Sequence, residues 1–329
     1  MNTKNTSGPF SLERYQPGRK DEWDDVVARS RNGTFLFFRD YMDYHSDRFA
    51  DHSLMFFRNG RPYALLPANA TADGIWCSHQ GLTYGGLVTD ERATAEHVAQ
   101  MMGMLNDELR HEGFKHVVYK PTPWIYHVMP AEEDLHALFH VCHARLSRRL
   151  LSSTIDLRRQ PLRFDESRRS GIRKAERQGM LVEESSDFEA FWQVLTDNLN
   201  SRYHAQPVHS LQEIKLLATR FPDNIRLFVA RKGNELLGGT VLYLSKNVVH
   251  TQYISATEEG RQQGALDMLF HRLLHQHDFQ RPFFDFGTSA SESHPSALQL
   301  PLIFQKEGFG ARGICYDTYE WNLCPTIST

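Results

Sequence analysis

The residues best suited to bind a charged cofactor lie in one short turn in the second half of the chain. Residues 259–266 read Glu-Gly-Arg-Gln-Gln-Gly-Ala-Leu and follow a strand pattern at 248–254. Apolar residues at i, i+3, i+4, i+7 and i+8 from Leu266 predict a helix directly after the turn. Because free backbone N–H groups at a helix N-terminus attract anions, we expect a diphosphate to bind here. The predicted cofactor-binding residues are Arg261, Gln262, Gln263, Gly264 and Ala265.

A polar and aromatic loop before the helix predicted at 211–220 offers candidates for contacting an acceptor. It carries Tyr203 and His209, and His209 could act as a base or as a hydrogen-bond donor. Ser210 and Glu213 have the spacing of a capping box, which explains the serine but leaves the histidine unexplained. The loop is therefore either a simple helix entry or a segment that closes over the acceptor.

Two more segments carry candidate substrate contacts. Gln252 and Tyr253 lie on the strand ahead of the cofactor turn, and side-chain alternation puts only one of them in a cleft. The loop at 83–86 combines glycines, which permit close backbone approach, with a single tyrosine. We expect Tyr84 and Gly85 to line a substrate cleft between two domains. The alternative is a hairpin loop with a packing tyrosine.

The elements around these residues follow a similar order in the two halves of the chain. Each half reads as helices, a set of antiparallel strands, one long helix, a strand, a helix and a closing strand. A chain of 329 residues suits two domains of about 150 residues each. We predict an α+β fold with mixed sheets: one domain at 1–157, a basic connecting helix at 158–179 and a second domain at 180–329.

Composition and charge limit the classes of function. Hydrophobic residues make up 40% and charged residues 23% of the chain, as in soluble globular proteins. A net charge of −3 gives no general attraction for nucleic acid, although residues 158–177 carry eight basic against three acidic side chains. The four cysteines are scattered, and His271 and His275 lack the glutamate of an HExxH helix, so no metal site is expected. Without a signal peptide or an apolar run of about 18 residues, we expect a cytoplasmic protein with no membrane span.

The cofactor turn resembles that of the GNAT acyltransferases. Their turn is written Gln/Arg-x-x-Gly-x-Gly/Ala, and Arg261, Gly264 and Leu266 stand at its three defined positions. Leu266 departs from the pattern, which has a small residue there, although Ala265 precedes it. A plain turn is the alternative, because glycine before a helix is common. The resemblance implies acetyl-CoA or another acyl-CoA as cosubstrate, with its diphosphate on the turn.

Motifs from Arg168 onward resemble the FemAB-like branch, which pairs two GNAT-type domains. They are Arg168-x3-Ile172-x2-Ala175-x3-Gly179, Phe284-Asp-Phe-Gly287 and Lys306-Glu-Gly-Phe-Gly310. The best-known members of that branch add amino acids from aminoacyl-tRNA to a peptidoglycan precursor. The resemblance implies two tandem GNAT-like domains, with a degenerate first domain on the acceptor side and the second on the acyl-donor side. It leaves the donor open between acyl-CoA and aminoacyl-tRNA.

The resemblance also implies roles for two ionisable residues. In the GNAT pattern the strand at 282–287 parts from its neighbour to admit the donor, so Asp285 can face the reacting groups. A partly buried carboxylate there would have a raised pKa and could take a proton from an incoming ammonium. Lys306 matches the lysine of the branch's FK-type motif and could stabilise the developing oxyanion. The alternatives are an aspartate that binds backbone N–H groups and a solvated helix lysine.

We therefore expect an acyltransferase in which an amine attacks the acyl carbonyl directly. Asp285, Lys306 and His209 are the candidate catalytic residues. The expected acceptor is a small amine related to the cell envelope, such as a nucleotide-linked sugar or a peptidoglycan precursor. Two alternatives stay open. One is a FemAB-type transfer from aminoacyl-tRNA, which the basic segment could bind, and the other is a GNAT-fold protein that binds without catalysis.

Overall fold

The computed structural model describes residues 10–275, 279–289 and 298–323. They form two compact units: unit 1 contains the described residues up to Arg149 and from Cys315 onward, and unit 2 contains those from Leu150 to Ile314. This division differs from the predicted domains. Unit 2 begins within a strand, before the expected boundary after residue 157, and it includes the basic helix. The closing part of the chain belongs to unit 1 rather than to the second domain.

Unit 1 combines short strands with one long helix. Its strands are β1 (Phe10–Arg14), β2 (Ala50–Asp51), β3 (Leu54–Arg58), β4 (Arg61–Leu66), β5 (Asn69–Ala70), β6 (Ile75–Cys77), β7 (Val88–Thr89) and β8 (His116–Tyr119). Its α-helices are α1 (Lys20–Arg29), α2 (Arg39–Met42), α3 (Ala95–His111) and α4 (Glu133–His140), and 3-10 turns lie at Pro17–Arg19, Phe35–Phe37, Asp43–His45 and Trp124–Tyr126. One antiparallel sheet has the strand order β1-β3-β4-β7, and β2, β5, β6 and β8 are neighbours in a second sheet.

The hairpin in unit 1 confirms a local prediction. β3 pairs antiparallel with β4, with Arg58 opposite Arg61. The two residues between them, Asn59 and Gly60, have φ angles of 52° and 71°. A two-residue turn with both φ angles positive matches the twist of the flanking strands, and asparagine and glycine tolerate this conformation best.

Unit 2 is built on six neighbouring strands. The chain enters it within β9 (Arg145–Asp156), and the other strands are β10 (Leu181–Ser185), β11 (Ile225–Lys232), β12 (Glu235–Leu244), β13 (Val248–Ala256) and β14 (Phe283–Thr288). The helices are α5 (Glu166–Arg177), α6 (Phe188–Tyr203), α7 (Leu211–Arg220), α8 (Glu258–Gln263), α9 (Ala265–His275) and α10 (Leu300–Glu307). β15 (Arg312–Asn322) begins in unit 2, and its last residues belong to unit 1, where they pair with β8. The strand order is β10-β11-β12-β13-β14-β9, and all pairs are antiparallel except β13 with β14.

The core of unit 2 lies between α9 and one face of this sheet. Phe270 of α9 packs edge-on against Phe284 and Phe286, with ring centroids 6.1 Å and 4.9 Å away. Because side chains alternate across a strand, Asp285 between these two phenylalanines points to the opposite face of the sheet. The sequence Phe-Asp-Phe therefore separates an apolar face, which binds α9, from a face that can carry polar chemistry.

The basic helix α5 packs on the junction between α8 and α9. Gly264 ends α8 in the left-handed conformation, with a φ of 81°. A Cβ added to Gly264 would lie 2.4 Å from the carbonyl oxygen of Gly171, in the middle of α5. A Cβ on Gly171 would in turn lie 1.9 Å from Oδ2 of Asp267. Both glycines are needed for this backbone approach, which explains why α5 contains a residue of poor helix propensity.

The variant Gly264→Ala is expected to destabilise unit 2 by about 2–4 kcal/mol, because left-handed strain of about 1–2 kcal/mol adds to overpacking against α5. Urea unfolding followed by circular dichroism measures this loss. Gly179→Ala is the matched control: its φ is 68°, but an added Cβ meets no atom within 4 Å. In Gly179→Ala the free energy of unfolding should fall only by the strain of the left-handed conformation. Equal losses in the two variants would contradict the close packing of α5 on this junction.

Candidate functional site

Two neighbouring strands of unit 2 separate in the middle of the sheet. β13 and β14 pair in parallel only where Val248–His250 faces Phe283–Asp285, although β13 runs on to Ala256 and β14 to Thr288. We call the opening between residues 251–256 and residues 286–288 the fork. Strand edges that face an opening present N–H and C=O groups that a ligand can pair with. This is the separation that the GNAT resemblance implied.

The fork is bordered by irregular backbone and by a hydroxyl that lacks a partner. The pairing of β12 with β13 skips Gln252, which makes it the extra residue of a β-bulge. Thr251 is 5% exposed, and its Oγ1 has no hydrogen-bond partner among the described residues. Leaving a buried hydroxyl unpaired costs about 1–3 kcal/mol. The arrangement fits a ligand that brings a polar group into the fork.

Asp285 lies where the two strands part, and its carboxylate is fully buried. Its Oδ1 accepts hydrogen bonds from Ser152 Oγ at 2.5 Å and Thr154 Oγ1 at 2.7 Å, and its Oδ2 lies 2.8 Å from His250 Nδ1. Burial alone would raise the pKa of Asp285, but His250 and the two hydroxyls outweigh it, and the pKa is lowered. The expectation of a raised pKa was therefore wrong in direction. An ionised Asp285 with three donors is a poor proton acceptor.

His250 is the residue that the sequence analysis missed. It lies on β13 directly opposite Asp285 in the parallel register, and its side chain is 13% exposed. The available signal was a histidine in the Val-Val-His-Thr run of a strand that was already predicted to border the cleft. Because the partner is 35 residues away, only the register of the two strands reveals the pair.

Lys306 is not a solvated helix lysine. Its side chain leaves α10 and its Nζ donates to the carbonyl oxygen of Gly287 at 2.8 Å, to that of Thr288 at 3.2 Å and to Ser289 Oγ at 2.8 Å. Burial lowers the pKa of Lys306 to about 8, although the negative charge of Asp285 acts in the opposite direction. Lys306 thus anchors the end of β14 and holds a positive charge beside the fork.

The predicted cofactor turn is a short helix rather than an open loop. Residues 258–263 form α8, whose first turn is capped by Thr257, and Gly264 joins it directly to α9. The first N–H groups of α9 begin at the buried Ala265 and lie at the junction against which α5 packs. Asp267 adds a carboxylate to the first turn of α9. Both the packing of α5 and this negative charge oppose a diphosphate on the N–H groups of this junction.

The side chains of the turn are directed mainly toward the protein. Arg261 Nη1 donates to Asn198 Oδ1 at 2.9 Å and to the Ala256 carbonyl oxygen at 2.6 Å. Gln263 donates to Glu259, and Gln262 is exposed. Arg261 therefore links α8 to α6 and to the end of β13.

His209 and Tyr253, which were predicted as separate contacts, lie side by side. The Tyr253 hydroxyl is 2.6 Å from His209 Nδ1 and accepts the backbone N–H of His209 at 3.1 Å. The ring of Trp192 packs edge-on against Tyr253 at 5.0 Å. Both members of the pair are buried, so they fix the entry of α7 against β13. Tyr203 is the last residue of α6.

Tyr84 and Gly85 lie in unit 1 and do not form an accessible substrate loop. Tyr84 is buried, and its ring packs against those of Tyr126 at 4.6 Å and Phe37 at 6.0 Å. A Cβ on Gly85 would lie 2.1 Å from the carbonyl oxygen of Ser78. The loop therefore has the glycine for close backbone packing and the tyrosine for the core, as the alternative reading described.

The described ranges contain no group of three or more histidine, cysteine, aspartate or glutamate side chains placed to hold a metal ion. Within the same ranges, each helix is too short or too polar to cross a membrane.

The part of the chain that forms this site matches a known family of domains. Residues 163–293 match the family model of the acetyltransferase (GNAT) domain. The stretch that matches this GNAT model lies within unit 2. The matched residues include α5, both strands of the fork and Asp285, but not Lys306. No curated protein matches the chain in sequence.

Solved structures with a similar fold extend over nearly the whole chain. The crystal structure of FemX has 11% identity and a TM-score of 0.67, covering 95% of this chain and 97% of its own. The C-terminal domain of a putative lysylphosphatidylglycerol synthetase from Agrobacterium fabrum has 13% identity and a TM-score of 0.59, covering 94% and 92%. A tandem GNAT protein from the clavulanic acid biosynthesis pathway has 12% identity and a TM-score of 0.53, covering 97% and 100%. Together with the family match over residues 163–293, these likenesses show a tandem GNAT fold.

Proposed function

We propose that this GNAT acyltransferase moves an acyl group from an activated donor to a primary amine, with the acyl carbonyl held in the fork. The observation that carries the proposal is the separation of β13 from β14 after His250 and Asp285. The separated strand edge, the bulged Gln252 and the unpaired hydroxyl of Thr251 supply hydrogen-bonding groups on the β13 side. An amide-containing donor can lie between the strands as an additional strand would.

Direct attack by the amine is supported by the state of Ser152, a hydroxyl that contacts Asp285. Ser152 is fully buried and donates its hydroxyl hydrogen to Asp285 rather than to a histidine. It therefore lacks the adjacent base that activates a serine nucleophile. Positioning of the two reactants and stabilisation of the oxyanion then supply the catalysis. Lys306, whose Nζ binds the carbonyl oxygens of Gly287 and Thr288, is the candidate for the second task.

Acyl-CoA is the first candidate donor, because GNAT domains in general use it. We expect acetyl-CoA to stabilise the protein against thermal unfolding, by about 2.7 kcal/mol at a ligand concentration 100 times Kd. Differential scanning fluorimetry with acetyl-CoA, desulfo-CoA and ATP measures the shift. ATP controls for nucleotide binding without the pantetheine arm. Stabilisation by ATP equal to that by acetyl-CoA would remove the support for a donor in the fork.

A FemAB-type transfer from aminoacyl-tRNA is the second candidate, and one observation favours it. The junction predicted to bind the diphosphate of CoA is packed against α5. The same helix exposes Arg173, Lys174 and Arg177 to solvent, as a phosphate-binding surface requires. If alanyl-tRNA binds and acetyl-CoA does not, this candidate replaces the first. If neither binds, the third alternative from the sequence, a GNAT fold without catalysis, is the one left.

The proposed acceptor is an amine of a cell-envelope building block. It rests on the FemAB-like motifs and on the likeness of the fold to a lysylphosphatidylglycerol synthetase domain. Mass spectrometry of ligands that copurify with the protein, followed by transfer assays with those carrying a primary amine, tests this choice.

A further inference from the structure

A row of polar side chains crosses the sheet of unit 2 at the start of the fork. Ser152 and Thr154 on β9, Asp285 on β14 and His250 on β13 are joined by the three hydrogen bonds to the carboxylate. Tyr243 on β12 lies opposite His250 in the register. Burying a carboxylate requires that its lone pairs be satisfied, and the two flanking strands, β9 and β13, contribute donors to do so. This is an unusually complete environment for one charge in an apolar Phe-Asp-Phe segment.

The hydrogen bond to Asp285 determines which nitrogen of His250 carries the proton. An ionised carboxylate only accepts hydrogen bonds, so Nδ1 of the imidazole must donate. In the neutral ring, Nε2 then holds the lone pair. None of the described residues hydrogen-bonds this nitrogen. The carboxylate thus prepares His250 to accept a proton at Nε2 and stabilises the imidazolium that results.

The free edge of the imidazole lies beside Gly287. A Cβ added to Gly287 would be 3.2 Å from Cε1 and 3.9 Å from Nε2 of His250. Gly287 has a φ of 73° and belongs to the part of β14 that has separated from β13. A glycine there leaves the Cε1–Nε2 edge uncovered on the side of the fork.

We propose that His250 is the general base of the acyl transfer and that Asp285 is its positioning residue. The inference rests on the proposed function, since it places the amine acceptor at the fork. It assigns proton transfer to a residue other than Asp285, Lys306 or His209. His209 is less suited to the role because its Nδ1 partner is the neutral hydroxyl of Tyr253, which does not stabilise an imidazolium as a carboxylate does.

The step is balanced without a further reactant. The amine lone pair forms a C–N bond to the acyl carbonyl carbon, and the C=O π pair moves to oxygen. Nε2 of His250 takes one proton from the attacking nitrogen. When the oxyanion collapses, the bond from carbon to the leaving group breaks, and the thiolate or ribose oxygen departs with the electron pair. The proton on Nε2 passes to that leaving atom, which restores the neutral imidazole.

Three ionisable groups set the charge around His250. Asp285 contacts His250 directly. Lys306 donates hydrogen bonds to the carbonyl oxygens of Gly287 and Thr288 on β14, and Tyr243 on β12 lies opposite His250. Lys306, with its pKa lowered to about 8 by burial, changes charge only in the alkaline range.

The test compares two nucleophiles in His250→Gln and the parent protein, with acetyl-CoA and alanyl-tRNA each tried as donor. A simple primary amine is protonated at neutral pH and needs a base, whereas hydroxylamine is largely unprotonated. We expect kcat/KM for the primary amine to fall by about 10²–10⁴-fold and that for hydroxylamine to fall far less. Asp285→Asn should show the same selective loss, because an amide that donates to Nδ1 moves the ring proton to Nε2. Nitrogen-15 NMR of the imidazole reports that change of tautomer directly.

His275→Gln is the matched control, because it makes the same replacement at an exposed histidine of α9. It should keep the activity with both nucleophiles. Equal losses with both nucleophiles in His250→Gln overturn the role of His250 while the transferase function stands. If the parent protein transfers an acyl group from neither donor, the proposed function fails, and the inference fails with it.

Discussion

Replacement of Asp285 by alanine is expected to destabilise unit 2 by about 3–5 kcal/mol, the range for removing one member of a buried charged network. The substitution leaves Ser152, Thr154 and His250 without their common acceptor in a site that excludes water. It also opens a cavity between β9 and β13. Equilibrium unfolding in urea measures the loss, read from a signal of unit 2 such as the fluorescence of Trp192.

Asp285→Asn is the control for this prediction, since it keeps the volume and one carbonyl acceptor. Its loss should be clearly smaller than that of Asp285→Ala. The lowered pKa of Asp285 adds a pH dependence. A carboxyl whose folded pKa is depressed contributes stability above its unfolded pKa, near 3.8, and loses it as the pH falls through the folded value. The difference between the parent protein and Asp285→Ala should therefore shrink in acid, and a constant difference from pH 7 to pH 3 would contradict the network.

Replacement of Arg168 by methionine is expected to cost about 3–5 kcal/mol at pH 8, because it leaves the carboxylate of Asp267 buried and unpaired. Arg168 Nη1 lies 2.5 Å from Asp267 Oδ1, and the two side chains are 15% and 14% exposed. The pair joins α5 to the first turn of α9. Burial raises the pKa of Asp267 to about 6 even with the arginine present.

The sign of the pH dependence follows from this raised pKa. Between its unfolded value of 3.8 and about 6, the folded protein holds more protons on Asp267 than the unfolded chain does, so the stability it confers falls as the pH rises. Without Arg168 the pKa of Asp267 in the folded protein rises further. The loss in the free energy of unfolding of the variant should therefore grow above pH 6. At pH 5, where the carboxyl is mostly protonated, the loss should be much smaller. Arg168→Met combined with Asp267→Asn should recover most of the stability at pH 8, and a double variant as unstable as the single one would show that the ion pair is not the cause.

Several parts of unit 2 follow from interactions within a few residues, and these could be predicted. Helix α7 begins and ends where the sequence indicated, at Leu211–Arg220. The capping box forms as expected: Ser210 Oγ accepts the N–H of Glu213 at 3.2 Å, and Glu213 Oε2 accepts the N–H of Ser210 at 2.7 Å. All the groups involved lie within four residues, so no tertiary contact was needed to fix them.

The environment of the candidate site depends on residues that are far apart in the chain. Asp285 was recognised as a polar residue in an apolar strand, but its donors on β9 lie 133 and 131 residues earlier. The direction of its pKa shift is the balance between burial and these donors. Neither the burial of Asp285 nor the identity of its donors can be predicted from residues next to it in the sequence. The covering of the cofactor junction by α5 has the same origin, because Gly171 and Gly264 meet only after the helices pack.

The sequence by itself determined several elements of both units, among them α7 and the Asn59-Gly60 hairpin, and the resemblance of the second half to a GNAT domain. Hydrophobic periodicity, turn residues and local caps act over a few positions and are therefore visible in the order of residues. The tertiary structure alone decided that Tyr84 is buried and that His250 is the partner of Asp285. It also decided where unit 2 begins and ends. These properties depend on strand register and on the free energy of burying charge, which arise only when distant segments come into contact.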